Sequence, residues 1–79
     1  MQTIFVQIKC DLGQSYRVAQ DLADIDGISE VYSISGPYDL LVKCYMPKET
    51  DVGHFVNNRI QMTDGVKDTH TIMAFNAFS

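Results

Sequence analysis

Slid along itself by 38 residues, the chain meets its own pattern. Asp26-Gly27-Ile28 falls on Asp64-Gly65-Val66, with Val18 on Val56, Leu22 on Ile60, Glu30 on Asp68, Val31 on Thr69, Ser33 on Thr71 and Ile34 on Ile72. A chain of 79 residues encloses one core, so two copies of a half must share it within a single domain, residues 1–79. Whatever one half folds into, the other repeats.

The first half reads as strand, helix, strand. From Thr3 to Cys10, Ile4, Val6, Ile8 and Cys10 alternate with Phe5, Gln7 and Lys9, the period of two of a strand. Asp11-Leu12-Gly13 breaks it. From about Gln14 to Ile25, Val18, Ala19, Leu22 and Ile25 recur at helical spacing, and Asp26-Gly27 stops that helix because glycine accepts a left-handed backbone. A second strand over Ile28–Ser35 turns at Gly36-Pro37 into a third over Asp39–Met46, which Pro47 ends for want of an N–H. Thr50 or Asp51 is placed to cap a second helix carrying Phe55, Val56 and Ile60; Asp64-Gly65 closes it before a last strand over Lys67–Phe75. The order β-α-β-β-α-β, with right-handed crossovers, gives an α+β, ferredoxin-like domain: a four-stranded antiparallel sheet with both helices on one face.

Helices on one face leave the other open. With Ile4, Val6, Ile8, Leu40, Val42 and Cys44 turned toward the helices, Phe5, Leu41 and Tyr45 point away, joined by either Met73 and Phe75 or Ile72 and Ala74. Each large apolar group left in water forgoes about 1.5–3 kcal/mol of burial. A second copy covering this face, at least a homodimer through the sheet, is the economical expectation; the competing one is that a few exposed apolar residues are unremarkable.

Charge narrows the functions. Six basic against ten acidic residues, net −4, give no surface suited to phosphates, so direct nucleic-acid binding is not expected. No stretch approaches the ~20 apolar residues of a membrane span and no signal-peptide pattern opens the chain, so a cytoplasmic location is expected. Cys10 and Cys44 lie in apolar strands without metal-ligand spacing and read as small core residues, with a disulfide as the alternative. His54 near the start of the second helix and His70 in the last strand belong to separate elements and make no metal site; His70 points opposite to Thr69 and Thr71, either as an exposed strand residue or as a contact at a partner or small-molecule site. No nucleophile, acid–base pair or cofactor site can be assembled.

Interest falls instead on polar residues at strand ends: Asp39 opening the third strand, Ser33 and Ser35 closing the second, and Thr69 and Thr71 opening the fourth. Gly36-Pro37 offers backbone groups outside any ladder. Asp39 has two compatible readings, accepting N–H bonds from its own turn and lining a small pocket for an amino group and a carboxylate.

Gly36-Pro37-Tyr38-Asp39-Leu40-Leu41-Val42, followed by Gly65-Val66 and Thr69-His70-Thr71, resembles the Gly-x-Tyr-Asp and Gly-Val-x-x-Thr-x-Thr signatures of the effector-binding domain of Lrp/AsnC (feast-famine) transcriptional regulators. The resemblance runs over essentially the whole chain. It implies dimers through the sheet, tetramers or octameric rings built from them, and an amino acid or related small molecule bound between dimers. By position, Gly36, Tyr38 and Asp39 would lie at that effector site, with Thr69 and Thr71 from a neighbouring region. Pro37 at the x position stiffens the loop. Full-length members carry a helix-turn-helix domain ahead of this one, and the chain begins at the first strand, so the expectation is a stand-alone effector module that co-assembles with full-length regulators. A small ferredoxin-like enzyme of the oxygenase or isomerase type and a purely structural assembly module are the alternatives.

Overall fold

The computed structural model describes residues 1–79. Its elements are β1 (Gln2–Cys10), α1 (Ser15–Ala23), β2 (Ile28–Ser33), β3 (Leu40–Met46), α2 (Val52–Phe55), which runs directly into a π-helical turn at Val56–Ile60, and β4 (Val66–Met73). The sheet is antiparallel throughout, in the order β2-β3-β1-β4. The element order is the expected ferredoxin-like one.

Element ends depart from the sequence reading for local reasons. Strand β2 stops at Ser33 rather than Ser35, with one further bond in the same register, from the Ile34 N–H to the Asp39 carbonyl at 3.0 Å, before the chain turns. Strand β3 begins at Leu40, one residue after Asp39. Strand β4 ends at Met73, and Ala74–Ser79 form no regular element. Asp51 provides the expected cap on α2, its Oδ1 accepting from the His54 N–H at 3.0 Å, whereas Gln14 before α1 makes no side-chain cap bond. The wide turn after Phe55 closes with the Gln61 N–H donating to the Val56 carbonyl at 2.8 Å, the five-residue span of a π-turn.

The core is apolar without exception. Ile4, Val6, Ile8 and Cys10 from β1, Leu40, Val42, Cys44 and Met46 from β3, Val18 and Leu22 from α1, and Val56 and Ile60 beyond α2 form one buried cluster; no polar or charged side chain is buried. Both cysteines are free thiols, as core packing predicts and the disulfide alternative does not. Burial pushes the Cys44 thiol up to about 11.

The repeat extends to single hydrogen bonds. After α1, Ile25 N–H donates to the Leu22 carbonyl and Ile28 N–H to the Ile25 carbonyl; 38 residues on, Thr63 donates to Ile60 and Val66 to Thr63. Even the bulges correspond: Ser29 is the extra residue between the Ile28 and Glu30 pairings, and Lys67 between those of Val66 and Asp68. The pairing register does not correspond. Ile28 faces Cys44, whose counterpart is Val6, yet Val66 faces Cys10, four residues further along β1. Strand β4 therefore follows β1 to its end, whereas β3 begins opposite Ile8. Because β1 runs past the start of β3, a notch is left beside Lys9 and Cys10, and Asp39 at the end of the Gly36-Pro37 loop arrives in it.

Candidate functional site

The notch forms because β1 outruns β3, so Cys10 has an N–H on that side with no strand carbonyl to receive it. The Asp39 carboxylate fills the place of the missing carbonyl. Its Oδ2 accepts from the Cys10 N–H at 2.8 Å, and Lys9 Nζ stands 3.7 Å away. The Asp39 N–H donates to the Ile8 carbonyl at 2.9 Å, while its own carbonyl takes the Ile34 N–H. The side chain thus binds the neighbouring strand and not its own turn, which corrects the local-turn reading. Sequence spacing could not show this, because Cys10 and Asp39 are 29 residues apart.

Three of the five candidate residues gather at this corner. Gly36 sits at the exposed tip of the loop with φ +109°, and nothing lies within 4 Å of where a Cβ would project. The backbone there is open to a close approach by another atom. Tyr38 turns back over the open face of the sheet, its ring stacked on His70 with centroids 6.1 Å apart and planes 18° from parallel. His70 Nδ1 meets Gln7 Oε1 at 2.9 Å, directly across the β1–β4 pairing.

Thr69 and Thr71 stand apart from that group. They pair with Ile8 and Val6 and so share the helix side of β4, opposite to His70. Thr69 Oγ1 accepts from Gln61 Nε2 at 2.8 Å, and its N–H donates to Asp68 Oδ1 at 2.9 Å. A groove of about 250 Å³ runs there along Gln61, Val66, Lys67, Asp68 and Thr69. No one face of a single chain carries all five residues, although Thr69 and the loop lie at the same end of the sheet.

The larger cavity, about 610 Å³, lies at the other end of the open face, between Phe5, Lys43, Tyr45 and the terminal residues 74–79. Of the two alternatives for the last strand, Ile72 is the residue that shares the open face with Phe5, directly opposite it. Glu30 and Lys43 face each other on this side at 3.5 Å. The Tyr32 hydroxyl donates to Glu30, which lowers the Glu30 carboxyl and, with the charge beside it, raises the Tyr32 phenol; Lys43 adds to the former. At the corner, burial raises the Cys10 thiol, opposed by a bond to Ser15 and reinforced by the Asp39 and Asp11 carboxylates.

Sequence reasoning did not place Gln7, Lys9 or the Cys10 N–H at the site. Their involvement follows from strand pairing, for which one sequence carries no direct signal. His70 was visible as a residue pointing away from the threonines, but its partner Tyr38 was not.

A four-stranded antiparallel sheet with two helices on one face, in the order β-α-β-β-α-β, defines the class: a small α+β domain of the ferredoxin-like type. The family model for the Lrp/AsnC ligand binding domain matches residues 3–79, and the chain belongs to that family. An uncharacterised helix-turn-helix-type transcriptional regulator of Pyrococcus abyssi is 34% identical over 74 residues, which cover 92% of this chain and 49% of the regulator. The chain thus spans about half the length of the curated regulators it matches. Among solved structures, TTHA0845 of Thermus thermophilus aligns with a TM-score of 0.91 and 30% identity over 100% of this chain and 99% of its own. A Neisseria meningitidis regulator solved with L-Met shares the fold at a TM-score of 0.84 and 14% identity, covering 99% of this chain and 52% of that one. A segment of homocitrate synthase from Saccharolobus islandicus is 34% identical over 67 residues, 84% of this chain and 14% of the enzyme.

Proposed function

We propose that the chain is a cytoplasmic, non-enzymatic effector module that binds an amino acid or a closely related small molecule at the Gly36–Asp39 corner. It self-associates through its open sheet face and modulates transcriptional regulators of its own family by co-assembly. The observation that carries this reading is the corner itself. Asp39 Oδ2 is spent on Cys10 and Lys9, which holds the loop rigid, while Asp39 Oδ1 and the backbone around Gly36 remain as acceptors and donors for an ammonium and a carboxylate. The L-Met complex of the Neisseria regulator supports the ligand class. Thr69 and Thr71 complete the site from a neighbouring copy, since their face of β4 is turned away from the loop of their own chain.

A ligand held between copies shifts assembly by its differential affinity for the two states. Calorimetric titration with each of the twenty common amino acids, read beside sedimentation velocity, tests this. At least one amino acid binding at up to millimolar concentration, with a change in sedimentation, is expected. No heat and no change with any of them rejects the reading and leaves a purely structural module.

The layer between sheet and helices, where a small enzyme of this fold would place an acid or base, holds no buried polar side chain. The homocitrate synthase segment favours a second reading only for the partner, namely that an amino-acid-related enzyme is regulated by such a module. Chromatographic co-elution with one class of partner and not the other separates the two.

A further inference from the structure

The corner loop is held by two devices, of which the effector reading uses one. Asp39 fastens its far end to β1. Nothing in that bond fixes Tyr38 or the exposed segment Ser35-Gly36-Pro37 before it. The Tyr38 ring reaches from the loop before β3 over β1 to stack on His70 of β4, and His70 is held in turn by Gln7 of β1. This chain of contacts joins the loop before β3 to the two strands β1 and β4. It also joins the two sets of candidate residues, because His70 is the covalent neighbour of both Thr69 and Thr71.

We propose that His70 is a positioning residue of the effector site. Through its stack with Tyr38 and its bond with Gln7, it sets the conformation of the Gly36–Asp39 loop and ties that loop mechanically to the Thr69–Thr71 segment of β4. The ring touches no ligand; it acts through Tyr38. Naming the loop an effector site rests on the function proposed above, but the latch itself does not.

Hydrogen exchange of individual amides in the intact protein separates the two. The Ile34, Asp39 and Cys10 N–H groups are the ones the latched loop protects, through bonds to the Asp39 carbonyl, the Ile8 carbonyl and Asp39 Oδ2. Loss of one aromatic stack raises local opening by about two- to tenfold. His70→Ala is therefore expected to speed exchange at these three amides by that factor while leaving Val6 and Val42 in the core unchanged. His70→Phe, which keeps the stack without the Gln7 bond, restores most of the protection, and Gln7→Ala loses part of it. Unchanged exchange at the loop amides in His70→Ala overturns the proposal, as does equal acceleration at Val6 and Val42, which would mark general destabilisation. In parallel, whichever amino acid binds the wild type should bind His70→Ala two- to tenfold more weakly and His70→Phe nearly normally. If no amino acid binds the wild type, the effector reading fails, and the exchange data still decide the latch.

Discussion

Asp39 is the residue on which the most structure turns. A charge-assisted hydrogen bond contributes about 1.5–3 kcal/mol, and this carboxylate is about a third exposed, which places it at the lower end. Asp39→Ala should therefore lower stability by about 1–2 kcal/mol in urea denaturation, and Asp39→Asn, which keeps an acceptor oxygen, by less than half as much. Removing Lys9 should cost under about 1 kcal/mol, since a half-exposed pair at 3.7 Å is screened. An Asp39→Ala protein as stable as wild type would deny the bond its structural role. Cys44 makes a different prediction. Its thiol sits at about 11 in the folded protein against an ordinary 9.0, because burial disfavours the thiolate. The folded state holds a proton that the unfolded chain releases, so this contribution is whole below pH 9 and is lost as pH rises through 11. Denaturation midpoints of Cys44→Ala should fall less between pH 9 and 11 than those of wild type. Part of the decline remains, since Cys10 shifts the same way.

Between elements, the two halves hold each other by their glycine turns. Gly65, φ +95°, lies against α1: an added Cβ would stand 2.6 Å from Arg17 Nη2 and 2.8 Å from Val18 Cγ2. Its counterpart Gly27 packs in the same way against Phe55 of α2. Arg17 completes the lock, donating to Gln14 Oε1, Asp21 Oδ2 and the Asp64 carbonyl at 2.9, 3.0 and 3.0 Å. Gly65→Ala combines left-handed strain with a clash against a buried valine and should cost roughly 2–4 kcal/mol. Gly36→Ala meets the same kind of strain in open space and should cost only about 1–2 kcal/mol. Equal losses in thermal denaturation would mean that packing at the Gly65 turn is unimportant. The glycines were legible as helix stops from the repeat alone. That each stops one helix and seats the other was not, because the contact joins elements from different halves.

At the scale of the molecule, the sheet has one buried face and one that carries Phe5, Leu41, Tyr32, Tyr45 and Ile72, of which Tyr32 and Tyr45 are 50% exposed and Ile72 40%. Under the proposed function a second copy covers them. Tyr45→Lys, or Phe5→Lys beside Lys43, puts an unpaired charge into that contact without touching the core. Sedimentation equilibrium should then show dissociation of the lysine variants at concentrations where the wild type is assembled, with unchanged far-UV circular dichroism. A wild type that is monomeric at micromolar concentration, or variants that assemble normally, would reject the sheet as the interface.

The periodicities of two and 3.6, the turns at Gly27, Gly36 and Gly65, and the 38-residue repeat determined the element order, the fold and the inward-facing residues Ile4, Val6, Ile8, Cys10, Leu40, Val42 and Cys44, leaving out Met46 of the core strand residues. These are local properties, written in neighbouring residues and in which face they present. The tertiary structure alone decided the register. The repeat predicts matching pairings, yet β4 sits four residues further along β1 than β2 does along β3. Register is a relation between segments that lie far apart in sequence, and side-chain alternation restricts it only to even steps, so a shift of four leaves every apolar residue on its proper face. That shift sets His70 opposite Gln7, where Tyr38 stacks on it, while the notch that Asp39 fills follows from β1 running past the start of β3.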